Sequence, residues 1–127
     1  MRRAAFVALL LSAAACGGSD AHAPAYSDPA QPIEVRAGSE FTLALKSNQS
    51  TGYAWVLVDS AALGPLRLVS KDYEVPREYR DNNGAGGTER WIFRAPSAGS
   101  GVVSLVYRGP GEPSPSAGTA RFNVTVR

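Results

Sequence analysis

The chain contains very little histidine and cysteine. Its 127 residues include one histidine, His22, and one cysteine, Cys16, and both precede residue 33, where regular apolar patterning begins. The remainder therefore cannot form a Ser-His or Cys-His nucleophile pair, nor a thiolate or imidazole metal site. A single cysteine also excludes an internal disulfide bond. We expect a protein that is not an enzyme and that carries no metal ion or cofactor.

Carboxylates do occur after residue 33, but they are scattered and interspersed with arginine and lysine. This pattern is typical of a solvated surface and does not indicate the paired acids of a glycosidase. Asp81, Asn82 and Asn83 are consecutive oxygen donors, yet the spacing lacks the further acidic ligands that Ca²⁺ requires, so we interpret them as a turn. The carboxylates interpreted as surface groups are Glu34, Glu40, Asp59, Asp72, Glu74, Glu78, Asp81, Glu89 and Glu112.

Long apolar runs are absent except near the N-terminus. After Met1-Arg2-Arg3, residues 4–15 form an apolar run of about a dozen residues, whereas a membrane-spanning helix needs about twenty. A short basic stretch followed by an apolar segment and closing small residues is the pattern of a secretory signal. Residues 1–15 are therefore predicted to be a signal peptide.

Cys16 follows three alanines and precedes Gly17-Gly18, which resembles a bacterial lipoprotein processing site. The resemblance implies that residues 1–15 are a lipoprotein signal peptide and that Cys16 is lipidated and becomes the new N-terminus. Gly17 in place of aspartate implies outer-membrane sorting in a Gram-negative host. We expect a lipoprotein of the bacterial cell envelope, periplasmic or anchored in the outer membrane. Ordinary cleavage near residue 15 is the alternative, and it gives a secreted protein.

Residues 16–32 are rich in proline, alanine and small polar residues, so they are predicted to be a lipidated N-terminus and flexible tether. Residues 33–127 suffice for one domain. Loss of Arg2 and Arg3 with the signal reduces 13 basic residues to 11, against 11 acidic ones. The mature protein is thus near neutral and has no basic run interleaved with aromatics. We expect no binding to nucleic acid, and membrane contact only through the lipid.

Alternating apolar residues predict strands throughout residues 33–127. Phe41, Leu43 and Leu45 alternate with small or polar residues, and the same spacing recurs at Phe122 and Val124. Clusters of glycine, proline, asparagine and serine separate the strands, and one helical turn is expected at residues 60–63. The predicted fold is all-β, an immunoglobulin-like antiparallel β-sandwich of about seven to eight strands. The strand predictions cover residues 33–35, 41–46, 53–58, 66–70, 88–94, 101–107 and 119–126.

Three segments beside these strands carry turn-forming residues. The first loop, residues 48–53, contains Asn48 and Gly52, which favour positive φ, and Ser50 and Thr51, whose hydroxyls can bond back to the main chain. The second loop, residues 84–87, is Gly-Ala-Gly-Gly, which predicts a flexible hairpin tip. The third loop, residues 108–112, begins Arg-Gly-Pro. On the residues alone, all three are surface turns.

The loops resemble the motifs of the chagasin family of cysteine-peptidase inhibitors. The first loop matches Asn-Pro-Thr-Thr-Gly-Tyr, except that Gln49 replaces the proline and Ser50 the first threonine. The second loop matches Gly-x-Gly-Gly followed by an aromatic residue, here Trp91. Family members commonly carry Arg-Pro-Trp in the third loop, whereas this chain has Arg-Gly-Pro and no tryptophan. The resemblance extends over about residues 33–127.

The resemblance implies an inhibitor of papain-like cysteine proteases, whether endogenous or foreign. Nothing in the sequence indicates more than a monomer, so we expect a monomer. Three adjacent loops of a β-sandwich would fill the active-site cleft, the first beside the catalytic cysteine and the second pairing its main chain with the cleft wall. The absent tryptophan implies a lower affinity or a different target, since an aromatic anchor is often worth about 2 kcal/mol. The residues implied to bind the protease are Asn48, Ser50, Thr51, Gly52, Tyr53, Gly84, Ala85, Gly86, Gly87, Trp91, Arg108, Gly109 and Pro110.

Two other interpretations fit a β-sandwich, because a fold alone implies no function. An immunoglobulin-like adhesion or assembly module of the cell envelope would bind through a sheet face or edge, and its glycine loops would be dispensable. A carbohydrate-binding module would need a flat, exposed aromatic platform. Its candidate members are Tyr53, Trp55, Tyr73, Tyr79 and Trp91.

Overall fold

The structure, a computed structural model, describes residues 23–127. These residues contain eight strands and three short 3₁₀ turns. The predicted signal peptide and the predicted lipidation site at Cys16 lie outside these residues. Within them, no helix has the length and apolar character needed to cross a membrane. The 3₁₀ turns are Gln49–Thr51, Ser60–Leu63 and Arg77–Tyr79. The strands are β1 (Ala25–Tyr26), β2 (Ile33–Val35), β3 (Ser39–Ser47), β4 (Ala54–Val58), β5 (Arg67–Glu74), β6 (Gly87–Ala95), β7 (Gly99–Arg108) and β8 (Ser116–Val126).

The strands form two four-stranded sheets. One has the order β1-β3-β6-β5 and the other the order β2-β8-β7-β4. Two of the four edge pairs are parallel, β1 with β3 and β2 with β8, and all other pairs are antiparallel. The predicted all-β sandwich is confirmed, and the helical turn predicted at residues 60–63 is present as a 3₁₀ turn.

The core lies between the sheets and follows the alternation of the sequence. On β3, Phe41, Leu43 and Leu45 are at most 5% exposed. Phe41 stacks on Phe93 of β6 with ring centroids 5.6 Å apart. Burying a side chain of this size contributes about 2 kcal/mol. The two long strands β7 and β8 supply the facing layer, including Phe122, which is fully buried.

The domain begins earlier in the chain than the composition indicates. Ala25–Tyr26, within the segment predicted to be a tether, forms β1 and pairs with Thr42 and Leu43. The amide N–H of Thr42 donates to the carbonyl of Pro24 at 2.9 Å. Tyr26 packs edge-on against Phe41, with ring centroids 6.5 Å apart. A strand of two residues has no periodicity to detect, and it is held in place by its pairing with β3 and by this aromatic contact.

The strand register brings the three loops to one end of the sandwich. The end of β3 lies opposite the start of β6, where Ser47 pairs with Gly87. The start of β4 lies opposite the end of β7, where Ala54 pairs with Arg108. The first loop joins β3 to β4, the second precedes β6 and the third follows β7. We refer to this end of the sandwich as the loop end.

Candidate functional site

The first loop is a compact turn held by its own hydrogen bonds. The hydroxyl of Thr51 donates to the carbonyl of Asn48 at 2.6 Å, and the hydroxyl of Ser50 donates to Asn48 Oδ1 at 2.5 Å. The amide of Gly52 donates to the carbonyl of Gln49 at 3.0 Å. Gly52 has φ 81°, a left-handed conformation that glycine adopts without strain. Residues 49–52 are all exposed, so the turn presents small side chains to solvent.

The second loop is attached to the first. Asn48 Nδ2 donates to the carbonyl of Gly84 at 3.0 Å. Gly87 must be glycine for an internal reason, because a Cβ there would clash with the main-chain carbonyl of Glu74 and would lie 2.9 Å from the ring of Tyr73. Gly84, in contrast, has φ 87°, and a Cβ added to it would have no atom within 4 Å. Glycine is therefore favoured at position 84 only by the backbone conformation, and no other residue packs against the position where a side chain would begin.

The third loop packs against the other side of the first. A Cβ on Gly52 would lie 3.1 Å from Pro110 Cγ, so the two loops are in contact. Gly109 is buried, and a Cβ there would lie 2.5 Å from Tyr53 Cζ. Its amide donates to the carbonyl of Pro115 at 2.9 Å, and the hydroxyl of Ser114 donates to its carbonyl at 2.5 Å. The structure thus brings the three predicted loops together, with Pro110 exposed and Arg108 half-buried.

Tyr107 supports the first loop from below, a role that the sequence analysis did not predict. Its Oη accepts a hydrogen bond from the amide of Asn48 at 2.8 Å. Its ring lies 5.4 Å from that of Tyr53 and 5.0 Å from that of Trp55. Trp55 Nε1 in turn donates to the carbonyl of Lys46 at 3.0 Å. The only signal in the sequence was the presence of aromatic residues near one end of two strands.

Replacing Tyr107 with phenylalanine should loosen the first loop while keeping the aromatic packing. The amide of Asn48 loses its acceptor, which costs about 1 kcal/mol of local stability. We expect its hydrogen exchange, measured by NMR, to become about fivefold faster. Tyr26→Phe removes a hydroxyl from edge strand β1 and is the matched control. Equal protection of Asn48 in both variants would contradict this role for Tyr107.

Glu89 is buried, so its assignment from the sequence to the solvated surface carboxylates was wrong. It is 3% exposed and faces the core from β6. Its Oε2 accepts a hydrogen bond from the amide of Trp55 on β4 at 3.1 Å. Since β4 and β6 belong to different sheets, this bond connects the sheets beneath the first loop. Alternation along β6 places Glu89 on the same face as Trp91 and Phe93.

Trp91 also differs from its predicted place. The motif resemblance groups it with the protease-binding residues, but it is 2% exposed and belongs to the core. The Nζ of Lys71 lies 4.9 Å from the centroid of its ring. In this structure Trp91 therefore packs in the core from the middle of β6 and offers almost no surface to a partner. Of the five aromatics considered as a carbohydrate platform, only Tyr79 is exposed, so these five do not form a flat platform.

A family profile and a relative of known function both place the chain among the chagasin-type inhibitors. A family profile described as Chagasin family peptidase inhibitor I42 matches residues 34–126. The chain is 31% identical over 100 residues to chagasin of Trypanosoma cruzi, a match that covers 75% of this chain and 86% of that protein. All three loops fall inside the range matched by the family profile, as do all residues of the buried core except Ile33.

Solved structures share the fold. The solution structure of amebosin superposes with a TM-score of 0.65 at 24% identity, covering 84% of this chain and 99% of that one. The crystal structure of the cysteine protease inhibitor EhICP2 from Entamoeba histolytica gives a TM-score of 0.63 at 16% identity, covering 82% and 95%. The structure of PbICP-C in complex with falcipain-2 gives 0.51 at 19% identity, covering 84% and 90%.

Proposed function

The chain belongs to the chagasin family of peptidase inhibitors and is an inhibitor of papain-like cysteine proteases, and we propose that it acts by laying its three loops across the active-site cleft. It is not an enzyme. The first loop would enter deepest, with Thr51 and Gly52 beside the catalytic cysteine, because their small side chains allow two main chains to approach closely. The second and third loops would contact the cleft on either side.

The observation that carries this proposal is the direct connection of the loops. The Asn48–Gly84 hydrogen bond attaches the second loop to the first, and the contact between Gly52 and Pro110 attaches the third. Loops that are already ordered lose little conformational entropy on binding, which is how rigid inhibitors reach high affinity. Since one copy carries all three loops, we propose that a monomer is sufficient.

The first loop also favours inhibition over cleavage. Residues 49–51 form a 3₁₀ turn that ends at a left-handed glycine, so the chain at the tip is not extended. A protease substrate must present an extended main chain to the catalytic group. We propose that the loop occupies the cleft without offering a peptide bond in a geometry that can be attacked.

The test is a titration of papain and a cathepsin L-like protease with the purified protein lacking residues 1–16, using a fluorogenic peptide substrate. We expect tight inhibition that is reversed on dilution, with the inhibitor recovered uncut by mass spectrometry. Absence of inhibition at micromolar concentration, or cleavage within residues 48–53, would contradict the proposed mechanism.

We also propose that Cys16 is lipidated and holds the protein in the bacterial cell envelope. The proposal is supported by the small residues before Cys16 and the glycines after it. The test is expression of the full chain in a bacterium fed a labelled fatty acid. We expect label on the wild-type protein and its recovery in the membrane fraction, and neither for Cys16→Ser. Recovery of unlabelled wild-type protein in the soluble fraction would favour ordinary cleavage and secretion.

A further inference from the structure

A hollow lies beside the first loop, between it and residues 76–87. It has a volume of about 800 Å³, which is room for several side chains of a projecting segment. A smaller neighbouring hollow shares Pro76 and Thr88 with it and contains the ion pair of Arg90 and Glu74 at 3.0 Å. The larger hollow is lined by Lys46, Ser47, Asn48, Pro76, Tyr79, Asn82, Asn83, Gly84, Ala85, Gly86, Gly87, Thr88 and Tyr107.

The far side of the hollow is held in shape by main-chain hydrogen bonds. The amide of Tyr79 donates to the carbonyl of Pro76 at 3.0 Å, and the amide of Asn82 donates to the carbonyl of Tyr79 at 3.0 Å. The amide of Ala85 then donates to the carbonyl of Asn82 at 3.2 Å. Tyr79 is therefore carried on an ordered turn. An aromatic ring on an ordered turn loses little entropy when it is covered.

The exposed lining of the hollow is more apolar than polar, with uncharged polar side chains such as Asn82 and Asn83 and one positive charge. Tyr79 is 50% exposed, and Pro76 and Ala85 add further apolar surface. Lys46 is the single charged residue of the lining. Within residues 23–127 the structure has two salt bridges, and Lys46 belongs to neither. An apolar side chain beside a carboxylate would complement both features.

The hollow is continuous with the proposed inhibitory surface. Asn48 and the whole second loop belong to both. A protease seated on the three loops would bring one rim of its cleft over Tyr79 and Lys46. Neither residue lies within the three loops, so contact here would add to the contacts that the loops themselves make.

We propose that this hollow receives a segment of the protease's cleft rim that carries an apolar side chain beside a carboxylate. Tyr79 provides the apolar anchor and Lys46 the charge that selects among proteases. The inference rests on the proposed three-loop mechanism, and it names two residues that determine affinity and selectivity.

The experiment measures inhibition constants against two papain-like proteases, one with an acidic cleft rim and one with a basic rim. We expect Tyr79→Ala to weaken inhibition of the acidic-rim protease by about 30-fold, the loss typical of a buried aromatic anchor. Tyr79→Phe should behave as the wild type, because it keeps the ring. Lys46→Glu should weaken binding to the acidic-rim protease by about fivefold or more and strengthen binding to the basic-rim one.

Two control variants match these changes away from the loop end. Val69→Ala removes an exposed apolar group of β5 that is 52% exposed, and Arg121→Glu makes a similar charge change at an exposed position of β8. Both should leave the inhibition constants unchanged. If the wild type inhibits both proteases and Tyr79→Ala and Lys46→Glu match it, this inference is wrong and the three-loop mechanism stands. A wild type that inhibits neither protease overturns both.

Discussion

Replacing Gly52 with valine is expected to weaken inhibition by at least about 100-fold, which corresponds to about 2.7 kcal/mol of binding free energy. Gly52 has φ 81°, where a β-branched side chain is strained. Its Cβ would also lie 3.1 Å from Pro110 Cγ, so the ring of Pro110 must shift to accommodate valine. The added methyl groups would lie between the first and third loops and displace the main chain that is proposed to face the catalytic cysteine. Titration of papain with the variant measures the effect.

Gly38→Val is the matched control for this variant. Gly38 has φ 88°, a conformation close to that of Gly52, but no atom lies within 4 Å of its Cβ position. It directly precedes β3, at the opposite end of the sandwich. Both valines should lower thermal stability through backbone strain of about 1–2 kcal/mol, while only Gly52→Val should change the inhibition constant. If the two variants inhibited equally well, Gly52 would not be needed for inhibition, and the proposed approach of the first loop to the catalytic cysteine would be wrong.

Replacing Glu89 with alanine is expected to lower the free energy of unfolding by about 3 kcal/mol. The change leaves the amide of Trp55 without an acceptor and opens a cavity between the sheets. For a domain of about 100 residues this should lower the melting temperature by more than about 10 °C. Inhibition should weaken as well, because Trp55 packs against Tyr107, which holds the first loop. Thermal unfolding and protease titration together measure both effects.

Two further variants distinguish the effect of losing the buried hydrogen bond from the effect of losing a negative charge. Glu89→Gln keeps an acceptor oxygen and nearly the same volume, so it should lose far less stability than Glu89→Ala. Glu74→Ala removes a carboxylate that is 53% exposed and paired with Arg90, which should cost less than about 1 kcal/mol. A Glu89→Ala protein as stable as Glu74→Ala would show that the link between the sheets does not stabilise the domain.

The alternation of apolar residues was enough to predict most of the sandwich. Phe41, Leu43 and Leu45 lie on one face of β3, as their spacing indicates, and Phe122 does the same on β8. Strand β1 was not predictable, because two residues carry no period and pair only when the rest of the sheet is present. The parallel pairing of β1 and β2 with their neighbours is likewise a property of the assembled sheets.

The positions of the three loops could be predicted from the sequence, but the contacts that join the loops to one another could not. The loops were located from turn-forming residues and motif resemblance, but the bond from Asn48 to Gly84 joins residues that are distant in sequence. Glu89 and Trp91 were misplaced even though the period of two along β6 puts both on the face of Phe93. The motif led Trp91 to be assigned to the surface, where the strand period places it in the core. Tyr79 had no periodic signal, since it lies on an isolated 3₁₀ turn.

The direction of β1 determines how the domain would be oriented on a support. It runs parallel to β3, which ends at the loop end, so the chain enters the domain from the opposite end. Strand β8 runs the other way and finishes beside the start of β7, where Val126 pairs with Gly99. Both ends of the described chain thus leave on the side remote from the loops. A lipid, a bead or a fusion partner attached through either terminus would leave the inhibitory surface facing outward and unobstructed.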